Sequence, residues 1–480
     1  MENPLLPLGD MEPEEFRRQG HQLIDWIAEY LAHPERYPVL SQISPGQIKS
    51  QLPLAPPSQS EPMATILADF EQVLLPGITH WNHPGFFGYF AISGSGPGIL
   101  GELLCAALNV NGMLWRTSPA ATELEEVTLD WLRQLLGLPA TFSGIIMDTA
   151  STGILTVLVA AREHLGLHAR QHGTSGLPPL RIYASEQAHS SIEKAAIATG
   201  FGQEGVRKIA VDAEFRLDPA ALARAIAEDR ARGWRPCCVV ATVGTTSTTS
   251  IDPVPAIAAL CREEGLWLHV DGAYGGMAAL VPECRQVLAG CDLADSIVVN
   301  PHKWLFTPID CSALYVKDPH LLRQTFSLVP EYLQSPEAEV TNYMDWGVQL
   351  GRRFRALKLW MVLRHFGQEG LAARLREHLR LGQLFAGWVD QSPCFERLAP
   401  VPFSTVCFRA RPPGAEEQEV DAINERLLQR INTGGEVFLS HTLVQGHYAL
   451  RLAVGHIRTQ ERHVARAWEL LQEGLNHELG

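Results

Sequence analysis

Residues 266–305 read LWLHVDGAYGGMAALVPECRQVLAGCDLADSIVVNPHKWL, and this stretch decides the fold. It contains two apolar runs of strand length, 266–270 and 296–299, and a polar residue directly follows each run. The residues between the runs leave room for a helix, and a third such run, 238–241, precedes them. This alternation predicts βαβ units in a mostly parallel sheet covered by helices. In such sheets functional residues gather at the carboxyl ends of the strands.

Two positions near these strand ends carry residues with chemical uses. Lys303 follows the second run closely, and a lysine amine whose pKa is lowered by burial can form a Schiff base. Asp271 directly follows the first run, and a carboxylate facing a pyridine nitrogen would keep that nitrogen protonated. Small Ala273 would let a flat ring lie close to the backbone. Taken alone, Asp271 is more often a helix cap or turn residue.

Two further turns are candidates for binding a cofactor. Residues 148–153, DTASTG, precede an apolar run, so backbone N–H groups and the Ser151 hydroxyl could form an anion site at a helix start. Most such turns are only helix caps. His189 precedes Ser190 and Glu193, whose spacing predicts a capping box, and it therefore lies at a strand-to-helix turn. A ring at that position can stack on a cofactor, although a lone histidine is more often structural.

Composition excludes several classes of partner. The 480 residues are 46% hydrophobic and carry a formal net charge of −14, which disfavours nucleic acid and anionic membranes. The nine cysteines form no C-x-x-C pair, which favours free thiols in a reducing cytosol. The acidic N-terminus does not resemble a signal peptide, and no apolar run is long enough for a membrane span. We therefore expect a cytoplasmic protein without nucleic-acid or membrane partners, and we predict no metal site.

The chain divides into three predicted parts. Residues 1–95 begin with an amphipathic helix over 14–31, followed by the proline-rich stretch 34–62. Because that stretch separates the helix from the body, its apolar stripe must dock on another surface, and a second subunit is one candidate. Residues 96–375 hold the α/β pattern and form the large domain. Residues 376–480 change to a helix, strand-like segments and a final helix, which predicts a small α+β domain.

Seven segments carry a family resemblance. They are HPGFFGYF (83–90), SPAATELE (118–125), EQAHSSIEKA (186–195), VATVGTT (240–246), HVDGAYGG (269–276), NPHKWL (300–305) and LGRRFRALKLW (350–360). Together they resemble the group II pyridoxal-phosphate (PLP) decarboxylases, and among these the aromatic-L-amino-acid decarboxylases most. The resemblance extends from about residue 10 to the C-terminus.

The resemblance implies an α/β PLP-dependent transferase fold of type I (aspartate aminotransferase-like), with a mostly parallel seven-stranded sheet flanked by helices and a small α+β C-terminal domain. It implies a homodimer with shared active sites, in which residues 1–95 pack on the partner subunit. The implied reaction is PLP-dependent decarboxylation of an aromatic L-amino acid (tryptophan, tyrosine, phenylalanine or DOPA type) to the corresponding amine and CO₂.

The resemblance also implies roles for individual residues. Lys303 would carry PLP as a Schiff base, Asp271 would contact the pyridine nitrogen and His189 would stack on the ring. Tyr332, on the loop 326–342, would protonate the substrate carbon after CO₂ leaves. The implied cofactor-binding set is Ala150, Ser151, His189, Thr246, Asp271, Ala273, Asn300, His302 and Lys303.

The implied substrate pocket is aromatic and departs from the family at two positions. Its members are Trp81, Tyr89, Phe90, Ile92, Met113, His189 and Gly351. Ile92 stands where a threonine or serine is usual, and Met113 where an aromatic residue is usual in the part given by the other subunit. These two residues put a catechol substrate in doubt. In the plant relatives, glycine at the position matching Gly351 is associated with indolic substrates. We therefore predict that tryptophan is accepted.

Other functions remain open at this stage. The same fold and lysine would serve an aminotransferase or a carbon–sulfur lyase. An aldehyde synthase of the same family would release an aromatic aldehyde, although Tyr332 argues against it because such plant members carry phenylalanine there. A decarboxylase of a non-aromatic amino acid is a further alternative. A cofactor-free structural relative is disfavoured because Lys303, Asp271 and His189 are all present.

Overall fold

The computed structural model describes residues 9–328 and 340–479, and its largest element is a seven-stranded sheet. The strands are β1 (Ser143–Met147), β2 (Leu180–Ser185), β3 (Val206–Ile209), β4 (Arg235–Thr242), β5 (Trp267–Asp271), β6 (Ser296–Val299) and β7 (Ser312–Val316). Their order is β1-β7-β6-β5-β4-β2-β3, and only β7 runs antiparallel to its neighbours. The predicted mostly parallel seven-stranded sheet is therefore confirmed.

Helices cover this sheet, which explains why its inner strands are buried along nearly their whole length. In β4 every residue after Arg235 is buried, and β6 and β7 are buried throughout, as expected for strands with both faces covered. The helices of this part are α4 (Gly96–Leu108), α5 (Pro119–Leu136), α6 (Ala150–His164), α7 (Ala169–His172), α8 (Ser191–Ala198), α9 (Pro219–Ala231), α10 (Val254–Glu264), α11 (Pro301–Trp304) and α12 (Pro319–Phe326).

A smaller α+β unit completes the described chain. Its elements are α13 (Ala356–Gln391), β8 (Phe395–Arg397), β9 (Thr405–Ala410), α14 (Glu417–Thr433), β10 (Ser440–Val444), β11 (His447–Ala453) and α15 (Glu461–Leu479). The four strands form an antiparallel sheet in the order β10-β11-β9-β8. The predicted boundary at 375–376 falls inside α13. Leu375 packs in the core of the large sheet, whereas Leu381 packs in the core of the small one.

The N-terminal helices contribute little to either core. They are α1 (Pro13–Ala32), α2 (Gln47–Gln51) and α3 (Met63–Asp69). Of α1 only Gln19 is buried, while Phe16, at 63% exposed, and Leu23 face solvent. The predicted apolar stripe of this helix is thus present but uncovered within one chain. No helix among the described residues is both long and apolar enough to cross a bilayer.

The sheet brings two distant segments side by side at one edge. Asp271 ends β5 opposite Thr242 of β4 and Val298 of β6. The loops that follow are joined by hydrogen bonds, because Gly272 N donates to Val298 O at 2.9 Å and Asn300 N donates to Ala273 O at 3.1 Å. The chain beyond β5 and the chain beyond β6 therefore form one surface.

Candidate active site

Lys303 lies on this surface, in the single turn of α11. Its backbone N–H donates to Asn300 O at 2.9 Å, which ties the turn to the end of β6. Burial lowers the pKa of the Lys303 amine, and the charge of Asp271 opposes this effect by raising it. Asp271 Oδ1 accepts a hydrogen bond from Ala273 N at 3.0 Å, which orients the carboxylate at the strand end. The site therefore places a lysine of lowered pKa, the kind of amine that forms a Schiff base, within reach of the charge of a carboxylate.

His189 joins this pair from the loop between β2 and α8. Desolvation lowers the pKa of His189 most, the charge of Lys303 lowers it further, and the charge of Asp271 raises it. These mutual effects show that the three side chains share one site. Ser191 N donates to His189 Nδ1 at 3.1 Å, so Nδ1 is an acceptor and the neutral ring carries its proton on Nε2.

The predicted capping box at α8 is wrong. The Ser190 side chain makes no cap hydrogen bond, and Glu193 instead pairs with Lys208 Nζ at 2.6 Å. The ring of His189 takes over the capping role, because its Nδ1 accepts the Ser191 N–H and also lies 2.9 Å from the Ser191 hydroxyl. The helix start thus fixes the orientation of the histidine ring.

The start of α6 offers unpaired N–H groups. Thr149 is the N-cap, its Oγ1 accepts from Thr152 N at 3.4 Å, and the first backbone bond of the helix runs from Gly153 N to Thr149 O. The amides of Ala150 and Ser151 precede that bond and are free for an anion. The Ser151 side chain is exposed. The predicted helix start at 148–153 is confirmed.

His302 and Asn300 present donors to the same region. His302 Nδ1 accepts from Cys311 N at 2.8 Å, and burial, followed by the charge of Lys303, lowers the pKa of His302 to about 4. The ring is therefore neutral with its proton on Nε2. Asn300 Oδ1 accepts from the Ser312 hydroxyl at 2.7 Å, which leaves its amide N–H groups as donors. Of the remaining predicted cofactor residues, Ala273 is buried, and Thr246 is exposed in the loop after β4.

The predicted substrate residues fall into two groups. In the first, the ring of Phe90 lies 5.4 Å from Lys303 Nζ and stacks on Tyr274 at 3.9 Å between centroids. Beside it, Trp81 stacks on Tyr89 at 5.4 Å. Ile92, two residues beyond Phe90, is partly buried.

Met113 and Gly351 form the second group. Their segments are paired, because Gly112 N donates to Arg352 O at 2.8 Å and Arg352 N donates to Asn111 Oδ1 at 2.9 Å. Gly351 is exposed, and a Cβ added there would meet only Asn111 Nδ2, at 3.9 Å. Among the described residues of one chain, no hydrogen bond or ring contact joins this group to Lys303. Tyr332, the predicted proton donor, lies outside the described residues.

Sequence analysis missed two residues that contact Phe90. The ring of Tyr274 lies between the rings of Phe90 and Trp304, and its centroid is 4.7 Å from that of Trp304. The Tyr274 hydroxyl lies 2.9 Å from Ser404 Oγ. The guanidinium of Arg451, on β11, lies 5.1 Å from the Phe90 ring centroid. For Arg451 a signal was available in the sequence, because a charged residue stands there between the apolar neighbours Leu450 and Leu452 of a strand-like segment.

Comparison with known proteins defines the class of this site. Residues 45–411 match the pyridoxal-dependent decarboxylase conserved domain. The chain is 44% identical to tyrosine decarboxylase 4 of Petroselinum crispum, over 97% of this chain and 94% of that protein. It is 42% identical to a phenylacetaldehyde synthase of a Rosa hybrid cultivar, over 96% of this chain and 94% of that protein. The structure of Oryza sativa TDC with PLP and tryptamine superposes with a TM-score of 0.95 and 38% identity, covering 99% of this chain and 100% of that one.

The chain therefore belongs to the pyridoxal-dependent decarboxylase family. It is a carboxy-lyase of fold type I, and its cofactor is pyridoxal 5′-phosphate.

The residues present fit this cofactor group by group. The amine of Lys303, with its pKa lowered by burial, suits the aldehyde, and the carboxylate of Asp271 suits a protonated ring nitrogen. The free amides at the start of α6 suit the phosphate.

Proposed function

We propose that this carboxy-lyase acts on aromatic L-amino acids, releasing the amine and CO₂, at sites shared between the two subunits of a homodimer. The observation that carries the substrate class is the ring of Phe90, 5.4 Å from the amine of Lys303 and backed by Tyr274. An apolar flat wall beside the reactive amine favours a substrate with a flat apolar side chain. The similarity to a tyrosine decarboxylase and to a structure holding tryptamine supports the same class.

In this proposal each residue has a defined task. Bound PLP supplies a conjugated ring that accepts the electrons of the breaking Cα–carboxylate bond. Lys303 would hold the cofactor through its amine. Asp271 keeps a negative charge at the ring nitrogen, so that this nitrogen holds its proton. His189, neutral and oriented by Ser191, covers the face of the cofactor ring. Tyr332 delivers a proton to Cα.

The start of α6 and His302 would hold the phosphate end of the cofactor in place. The amides of Ala150 and Ser151 donate to the phosphate at the positive end of the α6 dipole. His302 donates from Nε2, because its Nδ1 is occupied by the Cys311 amide. Thr246 and Asn300 would lie around the cofactor. Since these groups fix position rather than take part in bond breaking, their effect is on orientation.

The homodimer is supported by apolar surface that one chain leaves open. On α4 the side chains of Leu100, Leu103, Leu104 and Leu108 are exposed, and on α1 so are Phe16, Leu23 and Ile24. Exposed apolar patches of this kind mark protein–protein interfaces. The group of Met113 and Gly351 has no contact with Lys303 in its own chain among the described residues, so we assign it to the site of the partner. A cytoplasmic location, which the nine free thiols support, is also proposed.

Product analysis tests the reaction. The purified protein with PLP is offered tryptophan, tyrosine, phenylalanine, DOPA and 5-hydroxytryptophan, and CO₂, amine, aldehyde and hydrogen peroxide are measured. We expect CO₂ and amine in equal amounts from at least one of the first three. Aldehyde with peroxide in place of amine would identify an aldehyde synthase, and a keto acid would identify a transaminase. No CO₂ from any of the five aromatic amino acids, with CO₂ released from leucine or glutamate assayed in parallel, would overturn the substrate class.

Subunit complementation tests the shared site. Lys303→Ala removes the amine from the site of its own chain. Gly351→Trp blocks the part of the substrate pocket that we assign to the site of the partner. Each homodimer should be inactive, whereas a mixture refolded at equal amounts should recover about one quarter of wild-type activity, since half of the dimers hold one intact site. If Gly351 serves the site of its own chain, no mixed dimer contains an intact site and activity stays absent.

A further inference from the structure

Tyr89 adopts an unusual backbone conformation next to the substrate ring wall. Its φ is 50°, in the left-handed region that L-residues other than asparagine and aspartate seldom occupy. The side chain, 53% exposed in one chain, stacks on Trp81, and the next residue is Phe90. Because the left-handed turn decides where both rings point, whatever holds this turn also sets the shape of the wall.

Two side chains of the small domain hold the turn from both sides. Tyr89 N donates to Ser440 Oγ at 3.2 Å, and Arg451 Nη1 donates to Tyr89 O at 3.2 Å. The same Nη1 also donates to Ser440 Oγ at 3.2 Å, which closes the arrangement. Ser440 and Arg451 lie directly opposite each other on β10 and β11. Both polar groups of the Tyr89 backbone are thereby fixed by one strand pair.

Arg451 also reaches the cofactor side of the site. Its Nε donates to Ser247 O at 2.8 Å, in the loop that carries Thr246. The side chain is 4% exposed, it forms no ion pair with a carboxylate in the described chain, and its Nη2 has no hydrogen-bond partner there. A planar fork with donors on several sides suits the binding of two loops at once.

We propose that Arg451 and Ser440 are positioning residues that hold Tyr89 in its left-handed conformation and thereby set the aromatic wall for the substrate ring. Arg451 also links this wall to the loop of Thr246, through Ser247 O. This inference rests on the proposed function, since it assigns a cause to the preference for aromatic substrates. Neither residue contacts the reacting atoms.

The test compares Ser440→Ala with the matched variant Thr442→Ala. Thr442 lies two residues further along β10, and its hydroxyl bonds the Ser247 hydroxyl at 2.8 Å without touching Tyr89. We expect Ser440→Ala to raise KM for aromatic amino acids about tenfold, with kcat changed less than twofold and with unchanged PLP affinity. We expect Thr442→Ala to leave KM unchanged. Arg451→Lys should raise KM at least as much as Ser440→Ala, because one ammonium group cannot bond both Tyr89 O and Ser247 O.

A spectroscopic measurement tests the proposed clamp, by which we mean the hydrogen bonds of Ser440 and Arg451 to the Tyr89 backbone. It needs no substrate. The stacked rings of Trp81 and Tyr89 contribute to the near-ultraviolet circular dichroism, and Tyr89→Leu defines that contribution by difference. Ser440→Ala should reproduce this difference spectrum, and Thr442→Ala should not. Wild-type spectrum and wild-type KM in Ser440→Ala would overturn the clamp, as would a loss of kcat and PLP affinity without a change in KM. Absence of any activity on aromatic amino acids in the wild type would instead overturn the proposed function, and the spectra would still decide the clamp.

Discussion

The cofactor edge of the large sheet and the aromatic wall of the pocket are built in different ways. The cofactor edge consists of residues that directly follow strands of one sheet, and hydrogen bonds between neighbouring loops hold Asp271, Ala273 and Asn300 in place. The aromatic wall is assembled from segments far apart in the chain, from Tyr89 to Arg451, and the ring of Tyr89 stays exposed within one chain.

This difference separates what each region decides. In our proposal the cofactor edge holds the cofactor, since it brings Lys303, whose pKa is lowered by burial, close enough to Asp271 for the aspartate charge to act on it. In our proposal the wall selects the side chain of the substrate, and it depends on the small domain and on a second subunit. Changes at the edge should therefore abolish chemistry, whereas changes at the wall should shift preference.

The largest expected effect is at the edge, with Lys303→Ala. Turnover should fall below detection, because both anchoring of the cofactor and its handover to the substrate need the amine. Borohydride reduction followed by mass spectrometry should find the cofactor attached to residue 303 in the wild type and to no residue in the variant. Cofactor trapped on another lysine of the variant would contradict the assignment.

Asp271→Asn should reduce kcat by several orders of magnitude while the protein still folds. Asparagine keeps an oxygen that can accept the Ala273 N–H but removes the charge beside the ring nitrogen. Losing such a charge costs several kcal/mol in the transition state, and about 1.4 kcal/mol corresponds to a factor of ten. The measurement is kcat with saturating PLP, alongside a thermal melt as the folding control. A rate within threefold of wild type would make Asp271 a turn residue only.

Tyr332→Phe should change the product rather than abolish the loss of CO₂. The phenol is the proposed proton donor to Cα, so its removal lets oxygen compete for the same carbon. Under air the variant should form aldehyde, CO₂, ammonia and hydrogen peroxide, consuming O₂ and water, in place of amine. The ratio of amine to aldehyde is the measurement. Amine formed at the wild-type rate without peroxide would remove Tyr332 from the mechanism.

The smallest effect is expected from Gly351→Ser, in the part of the substrate pocket that we assign to the partner subunit. The structure has room for the new side chain, since a Cβ there meets only Asn111 Nδ2 at 3.9 Å, and the added hydroxyl makes the wall more polar. The ratio of kcat/KM for tryptophan to that for tyrosine should fall by about tenfold, the scale of one pocket contact. Gly387→Ser, which also has open space for a Cβ, is the control and should leave the ratio unchanged. A wild type active on tyrosine but not on tryptophan would contradict the predicted preference.

The sequence predicted the cofactor edge well because its residues are neighbours of strand ends. The run 296–299 coincides with β6, and the run 266–270 overlaps β5, so Asp271 and Lys303 fall at the edge. Where a prediction needed the direction of a side chain, it failed. Ser190 and Glu193 have the spacing of a capping box, yet Glu193 turns to Lys208 and the ring of His189 caps the helix instead.

What the sequence by itself determined is the fold class, because hydrophobic period acts over a few residues. The family and the candidate site residues were predicted from the resemblance of seven short segments. Only the tertiary structure decided the pairing of Tyr89 with Ser440 and Arg451, which lie more than 350 positions away along the chain. Such pairs form when a sheet of one domain docks on a loop of another, and no local pattern encodes that contact. A buried polar group must find its partners wherever the fold brings them, so the shape of the substrate wall is a property of the folded chain.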